Sequence, residues 1–328
     1  RLSLVGSEMC IRDSYYLELE KPIYEIEKRI KLIQKDIDAD SSTEINKLRK
    51  EKEKMTKDIF SKLTRWERVQ LARHPQRPFF MDYIDHFVDE KIELHGDRYF
   101  ADDPAVICII GKIDKIKAVF IGQQKGRNTK ENIHRNFGMM RPEGYRKALR
   151  VMKLAEKFEL PIVSLIDTPG AYPGIGAEER GQGEAIAKNI YEMSKLKVPI
   201  VSVVIGEGAS GGALGIGVCD RMLMFENTWY SVISPEGCAS ILWRDASKAP
   251  EAADSMKVTA QDLVEMGICD KILKEPLGGA HRDSAEAASI LKKAIIEEIA
   301  MLRKNDNISY LDSRIDRYYR MGAFNSED

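Results

Sequence analysis

Two segments of the sequence share the same order of parts: an apolar run typical of a buried strand, a glycine-rich loop, and a helix. The first is PIVSLID (161–167), which leads into TPGAYPGIG, and the second is VPIVSVVI (198–205), which leads into GEGASGG. Strands that alternate with helices predict parallel βαβ crossovers, and such folds place ligands at the carboxyl ends of their strands. The sequence therefore predicts an α/β fold with both glycine loops at one edge of a parallel sheet.

Other patterns predict what surrounds these two units. The β-rich runs AVICIIGKID and KAVFIGQQ predict a hairpin that turns at 114–115. Helices are predicted from about residue 142 to 158 and from about 284 to 302, with a polar tail after the second. Ser234 before Pro235 is a typical helix start. The strand-rich part of the chain is thus framed by helices.

The N-terminal part of the chain is charge-rich and helical in pattern. An isoleucine stripe at 3-4-3-4 spacing runs from Ile23 to Ile37, and the polar DADSST (38–43) interrupts it, which predicts a hairpin of two helices. We expect this helical region to span 15–78, a core to span 79–280, and a C-terminal helix and tail to span 281–328. Residues 1–14 resemble translated adapter sequence, and we interpret them as a non-native leader.

Composition excludes several classes of protein. Lysine and arginine number 51 against 52 aspartates and glutamates, a net charge of −1, which gives no support for a dedicated nucleic-acid surface. The apolar runs are far shorter than the ~20 residues of a membrane span, so no membrane association is expected. Five dispersed cysteines without a CxxC pair indicate a reducing, cytoplasmic location, and no metal site is expected in this chain.

The loop GEGASGG (206–212) fits several motifs. Gly206, Gly208 and Gly211 match the dinucleotide fingerprint, although the acidic residue expected about 20 positions later is not well placed. Gly208, Ser210 and Gly212 match the nucleophile elbow of serine hydrolases, for which His281 is the only downstream histidine. The DTPG sequence at 167–170 resembles a GTPase loop, but the chain has no P-loop motif to bind phosphates.

A further interpretation uses the backbone instead of side chains. Two strand ends that turn through glycine into helices can direct peptide N–H groups at one oxygen, and helix dipoles add to the stabilisation of an anion there. Glycine suits such loops because a ligand approaches the backbone closely. The sequence therefore predicts an oxyanion site as one use of the two loops.

Longer blocks of sequence then resemble a known family. The stretch from VPIVSVVI to SVISPEGCA is similar to the core of the crotonase superfamily. The blocks HPQRPFFMDYID, GQQKGRNTKENIHRNFG, DTPGAYPGIGAEERGQGEAIA and EPLGGAHRD together resemble the carboxyltransferase alpha subunits of bacterial acetyl-CoA carboxylases. The resemblance implies a crotonase-like (ClpP/crotonase) α/β fold with an N-terminal helical hairpin. Two positions depart from the family pattern: Gln123 stands where His is frequent, and Ala209 where Gly is frequent.

The resemblance implies an activity and partners. The family transfers a carboxyl group from carboxybiotin, carried on the biotin carboxyl carrier protein, to acetyl-CoA to give malonyl-CoA, the first committed step of fatty acid synthesis. A beta subunit with a zinc ribbon completes an α2β2 heterotetramer, and biotin carboxylase acts with it. Biotin is therefore expected on the carrier and zinc in the beta subunit, with neither bound covalently or by ligation to this chain.

Within this family we expect two groups of site residues. The N–H groups around Gly174, Gly211 and Gly212 are candidates for holding the ureido oxygen of biotin. Basic side chains of one segment are candidates for contacts with CoA phosphates or with the carboxylate: Lys125, Arg127, Lys130 and Arg135.

A stand-alone crotonase-type hydratase or hydrolase is the alternative function. A hydratase would require a pair of acidic residues poised over the thioester. The loops offer Glu178, Glu179 and Glu207 for that purpose.

Overall fold

The computed structural model describes residues 15–35, 41–304 and 310–322, so the predicted leader at 1–14 lies outside the described residues. The chain divides into two compact units between Lys62 and Leu63. The sequence predicts a helical region that continues to residue 78; the structure assigns its last part to the second unit.

The first unit contains a 3₁₀ turn, Glu18–Glu20, and two helices, α1 (Lys21–Ile33) and α2 (Ser41–Phe60). Apolar residues of both helices form its small core: Ile26, Ile30 and Leu48, with Ile33, Ile45 and Met55 packed against them. The predicted helical hairpin is confirmed. Ile37, the last residue of the predicted stripe, lies outside the described residues.

The second unit is built on one sheet of eight strands. The strands are β1 (Asp89–Glu93), β2 (Val106–Ile113), β3 (Ile116–Gln123), β4 (Ile162–Thr168), β5 (Ile200–Ala209), β6 (Arg221–Phe225), β7 (Trp229–Ser231) and β8 (Lys271–Leu273). Their order is β1-β2-β3-β4-β5-β6-β8, and β7 pairs with the end of β5. The pairs β1–β2 and β2–β3 are antiparallel, which confirms the predicted hairpin, and the pairs from β3 to β8 are parallel.

Helices of the second unit connect and cover these strands. They are α3 (Arg65–Ala72), α4 (Phe80–Phe87), α5 (Thr129–His134), α6 (Pro142–Lys157), α7 (Ile175–Glu179), α8 (Gln182–Met193), α9 (Ser210–Gly217), α10 (Pro235–Trp243), α11 (Ala249–Met256), α12 (Ala260–Glu265), α13 (Ser284–Arg303) and α14 (Tyr310–Tyr319), with 3₁₀ turns at Asn136–Gly138 and Ala246–Lys248. The helices predicted near 142–158 and 284–302 are confirmed as α6 and α13. No helix among the described residues combines the length and the apolar character that crossing a bilayer requires.

The sheet separates two apolar cores. Along β5, Ile200 and Val204 belong to the core shared with α6, α8 and α9, while Val201 and Val203 belong to the core shared with α4 and α13. Because side chains alternate across a strand, a continuous apolar run is needed where both faces are covered. This explains why β4 and β5 have the mostly apolar sequences from which they were predicted, broken only by the small buried Ser164 and Ser202 before their polar ends.

The polar tail holds a helix that the sequence analysis did not predict. In α14, Arg314 is fully buried and binds the carboxylate of Asp220 through its Nε and Nη2, each at 2.9 Å. Its guanidinium also donates to the carbonyls of Met193, Leu196 and Val198. The charged sequence of α14 predicts an exposed segment, but the buried Arg314 anchors this helix to the interior of the protein.

Candidate active site

The carboxyl ends of β3, β4 and β5 lie side by side in the sheet. Gln123, at the end of β3, joins the other two: its Nε2 donates to the Gly212 carbonyl at 3.0 Å, and its Oε1 accepts from the Asp167 N–H at 3.1 Å. Gln123 is fully buried, and a buried network of this kind rigidifies the groups that it joins. No local sequence pattern indicates a role for Gln123, because its two partners are 44 and 89 positions away.

The glycine loops after β4 and β5 touch at Gly212. A Cβ atom added there would lie 2.8 Å from the Ala171 nitrogen and nearer still to the Gly170 carbonyl, so only glycine fits. Gly170 itself has φ +152°, and a Cβ at that position would meet nothing within 4 Å. The loops are therefore in backbone contact on one side, while the backbone of Gly170 borders open space on the other.

Strand β5 ends later than its sequence predicts and leads directly into a helix. Strand β5 continues through Gly206 and Gly208 to Ala209, so the prediction that these glycines follow the strand is wrong. Both positions require glycine because neighbouring side chains occupy the space of a Cβ atom. A Cβ at Gly206 would lie 2.7 Å from Cγ of Asp167, and one at Gly208 would collide with the Tyr230 ring. The dinucleotide fingerprint is thus not a phosphate-binding turn here.

Helix α9 starts directly at the end of β5. Its first residue, Ser210, has φ +58°, a left-handed conformation that costs a non-glycine residue free energy. The first four N–H groups of a helix have no acceptor within the helix, and they carry the positive end of its dipole. Gly211 and Gly212 lie in this first turn, which makes their N–H groups suitable donors to an oxyanion.

The other predicted glycines differ from Gly212 in their surroundings. A Cβ at Gly211 would meet only the Ile186 side chain, at 3.4 Å, so that position has room for a methyl group. Gly174 is the N-cap of the five-residue helix α7, farther along the first loop than the contact at Gly170 and Ala171. A Cβ at Gly174 would collide with the Tyr172 ring, whereas at Gly212 it would collide with backbone, which cannot rotate away.

A cluster of buried and half-buried charges adjoins the ends of β4 and β5. Lys125 Nζ binds Asp167 Oδ1 at 2.6 Å and Glu207 Oε2 at 2.8 Å. Arg73 binds Glu207 Oε1 at 2.7 Å and also pairs with Glu236 in the first turn of α10. These five residues form a continuous chain of alternating charge, which we call the charge chain.

The pKa values of the charge chain follow from burial and pairing. Burial alone would lower the pKa of Lys125, but Asp167 and Glu207 outweigh it and raise the pKa above its ordinary value. Burial would raise the pKa of Glu207, but Lys125 and Arg73 hold it below the ordinary value. Burial and the nearby Glu207 raise the pKa of Asp167 in spite of its ion pair with Lys125. The cations therefore offset the cost of burying a negative charge less completely at Asp167 than at Glu207.

A cavity of about 330 Å³ borders the charge chain. Its lining includes Arg73, Lys125 and Glu207 of the chain, together with Arg127 and with Pro169 of the first glycine loop. The candidate site thus has a concave space beside the strand ends, where α/β folds place ligands.

Comparison with known proteins identifies the family. Residues 16–322 match the family described as acetyl co-enzyme A carboxylase carboxyltransferase-like. The chain belongs to this family. The carboxyl transferase subunit alpha of acetyl-coenzyme A carboxylase from Methylococcus capsulatus is 55% identical over 312 residues, which cover 93% of this chain and 97% of that protein. The subunit alpha from Chlorobaculum parvum is 51% identical over 329 residues, which cover 95% of this chain and 98% of that protein.

Solved structures agree on the fold. The transcarboxylase 12S structure superposes with a TM-score of 0.53 at 20% identity, covering 67% of this chain and 42% of that one. A Pseudomonas malonate decarboxylase hetero-tetramer in complex with coenzyme A superposes with a TM-score of 0.52 at 14% identity, covering 66% of this chain and 88% of that one. The predicted crotonase-like α/β fold is confirmed.

In this carboxyltransferase-family chain, the four predicted basic residues do not form one cluster. Lys125 is buried in the charge chain. Arg127 lies over the Phe79 ring at 4.0 Å, pairs with Asp82 and donates to the Arg77 carbonyl. Its charge and several of its N–H groups are therefore already engaged within the protein.

The other two predicted basic residues are placed differently. Arg135 donates to the Pro104 carbonyl at 2.8 Å, at the end of α5. Lys130 is exposed on α5 and has no ion pair with the residues that the structure describes. Of the four, Lys130 is the one whose charge is not engaged by another described residue or carbonyl.

The hydrolase interpretation loses its base. Ser210 is exposed in a strained strand-to-helix turn, but its hydroxyl has no hydrogen-bond partner among the described residues. The His281 ring stacks on the His74 ring, with centroids 3.9 Å apart. A nucleophilic serine needs a base within hydrogen-bond reach, and no such base is in place here.

The acidic residues considered for a hydratase differ in their burial and in their partners. Glu207 is buried and bound by Lys125 and Arg73. Glu178 and Glu179 are exposed on α7. The structure therefore does not pair Glu207 with either of them over a common space.

Proposed function

We propose that this chain is the alpha subunit of an acetyl-CoA carboxylase carboxyltransferase, which transfers a carboxyl group from carboxybiotin to acetyl-CoA and forms malonyl-CoA. The observation that carries the proposal is the backbone contact of Gly212 with Gly170 and Ala171 at the start of α9. Near full-length similarity to alpha subunits supports it.

The proposed chemistry places demands on the backbone of this chain. Carboxybiotin on the carrier protein supplies the carboxyl group, and its release leaves negative charge on a ureido oxygen. The N–H groups around Gly174, Gly211 and Gly212 are proposed to stabilise that oxygen. The open space beside Gly170 fits such a group, since a side chain there would fill it. Removing one preorganised donor of this kind typically costs about 10²–10³ in rate.

The partners follow from the same proposal. Helix α10 and the segment before it expose large apolar side chains, with Val232 78%, Ile241 71% and Leu242 63% exposed. Exposed apolar clusters of this kind mark protein contacts. We infer that the beta subunit, with its zinc ribbon, covers this face in an α2β2 assembly, and that the carrier protein and biotin carboxylase act with it. A cytoplasmic location remains a prediction from cysteine usage.

One assay tests the function: transcarboxylation from malonyl-CoA to free biotin, with and without a beta subunit. We expect activity from the reconstituted complex and none from this chain alone. Turnover of an acyl-CoA by the chain alone would instead support the stand-alone hydratase or hydrolase.

A matched pair of glycine variants tests the site. Gly212→Ala forces a methyl group into the Gly170 backbone, and we expect transfer to fall by about 10²–10³ as the donors move. Gly183→Ala is the control, because a Cβ there meets nothing within 4 Å and α8 gains an alanine. Equal activity of the two variants in folded complexes would contradict the proposed oxyanion site.

A further inference from the structure

The charge chain contains more negative than positive groups. Its carboxylates are Asp167, Glu207 and Glu236, and its cations are Lys125 and Arg73. The side chains of Asp167, Glu207 and Lys125 are 3%, 8% and 12% exposed. Water therefore screens these charges little, and the loss of Lys125 would leave Asp167 and Glu207 facing each other without it.

The charge chain also helps to fix the backbone geometry of the site. Asp167 Oδ1 accepts from the Glu207 N–H at 3.0 Å in addition to binding Lys125. This oxygen thus joins the end of β4 to the end of β5. The first glycine loop follows Thr168, the residue after Asp167, and α9 with its glycines begins at Ser210, three residues after Glu207. A change in the Asp167–Glu207 separation is passed to both loops.

We propose that Lys125 is a positioning residue for carboxyl transfer: its ammonium group holds Asp167 and Glu207 together and thereby sets the spacing of the two glycine loops. In this role it does not contact CoA phosphates. The proposal rests on the proposed function only for its activity readout, since loop order can be measured on this chain alone.

Lys125→Met is the principal variant. It keeps the unbranched shape and most of the length of the side chain and removes the charge, so the two carboxylates repel and the loops separate. We expect kcat for transcarboxylation in the reconstituted complex to fall about 10²-fold, the typical cost of misplacing reacting groups by about 1 Å. KM for malonyl-CoA should change little. In the chain alone, hydrogen exchange should accelerate in peptides covering 168–176 and 206–217.

Asp167→Asn provides the rescue. In the double variant Lys125→Met with Asp167→Asn, one repelling carboxylate is gone, and the Oδ1 acceptor for the Glu207 N–H is kept. We expect at least a tenfold recovery of kcat relative to Lys125→Met. The ratio of the Lys125→Met kcat to the wild-type kcat should also increase at acidic pH, because Asp167 takes up a proton there and the repulsion is relieved.

Lys147→Met is the matched control. Lys147 is a lysine on α6 that is buried more deeply than Lys125, with its side chain 1% exposed against 12%, and it binds Asp102 Oδ1 at 2.6 Å instead of a residue of the charge chain. We expect it to lose stability but to keep the kcat of its folded fraction. The proposal is overturned if the two lysine variants behave alike, if Asp167→Asn gives no rescue, or if Lys125→Met raises KM for malonyl-CoA and leaves kcat intact. An inactive wild-type complex would instead refute the proposed function, and hydrogen exchange would still test Lys125.

Discussion

Two ionic sites adjoin β5, and they differ in the ratio of cations to carboxylates. Arg77 and Glu275 form a one-to-one pair whose side chains are 1% and 0% exposed, with N–O distances of 2.5 and 3.2 Å. Arg77 Nε also donates to the Ile205 carbonyl, and Glu275 accepts from the N–H groups of Asn227 and Ala280. The charge chain, in contrast, shares Lys125 between two carboxylates and borders a cavity.

The pKa values express the same difference. Burial would raise the pKa of Glu275, but Arg77 and the surrounding donors hold it below the ordinary value. Asp167 has a raised pKa in spite of Lys125. Burial of charge therefore does not by itself indicate function. Incomplete compensation beside a cavity is the feature that distinguishes the candidate site from a structural ion pair.

The largest effect is expected at the balanced pair. Arg77→Met leaves the Glu275 carboxylate buried without its cation, and breaking a buried pair in this way costs about 3–5 kcal/mol. Urea unfolding should show this loss of free energy of unfolding, and kcat of the folded fraction should be unchanged. The double variant Arg77→Met with Glu275→Gln should lose less than the single one. A specific loss of kcat would show that the pair is not purely structural.

A smaller loss is expected for Lys125→Met, about 1–3 kcal/mol at neutral pH, because Glu207 keeps its ion pair with Arg73 and the site borders a cavity. The pKa of Asp167 is raised even beside Lys125, so without this cation we expect the folded variant to bind a proton at Asp167 more tightly than the unfolded state does. Its stability is therefore greatest at low pH and falls as the pH rises through the folded-state pKa. Unfolding measured at mildly acidic and mildly alkaline pH, relative to wild type, should show this slope; a pH-independent difference would contradict it.

The smallest effect is expected at an exposed pair. Lys292 of α13 binds Asp114 in the β2–β3 turn at 2.5 Å, with the side chains 34% and 57% exposed. Exposed pairs contribute about 0–1 kcal/mol, so Lys292→Gln should change the free energy of unfolding by less than about 1 kcal/mol. If Lys292→Gln lowered the free energy of unfolding as much as Arg77→Met, burial would not determine how much stability is lost when an ion pair is broken.

Local signals in the sequence predicted most of the elements. Ser234 caps α10, with Pro235 as its first residue, and the β2–β3 hairpin turns at the predicted place, where Asp114 has φ +50°. Apolar runs identified β4 and β5 because both faces of these strands are covered. Each of these features depends on residues a few positions apart, which is the range over which sequence patterns carry information.

The features that the sequence did not reveal depend on distant residues. Lys125 lies in a basic segment that looks exposed, but its two carboxylates are 42 and 82 positions away. Gly206 looks like part of a ligand-binding loop, but it makes room for the side chain of Asp167. The glycines of the sequence predict a candidate site at these strand ends, whereas the ionic groups beside it required the three-dimensional structure.

The anchoring of α14 has a consequence for the order in which the chain matures during synthesis. Asp220 emerges from the ribosome long before Arg314, which lies 94 positions later. At about 5–20 residues per second, roughly 5–20 s pass before Arg314 can pair with Asp220 and with the carbonyls at the end of α8 and just after it. This part of the core is thus completed only when a helix 94 positions later has been translated, and a chain released before Arg314 would carry a buried, unneutralised carboxylate at Asp220.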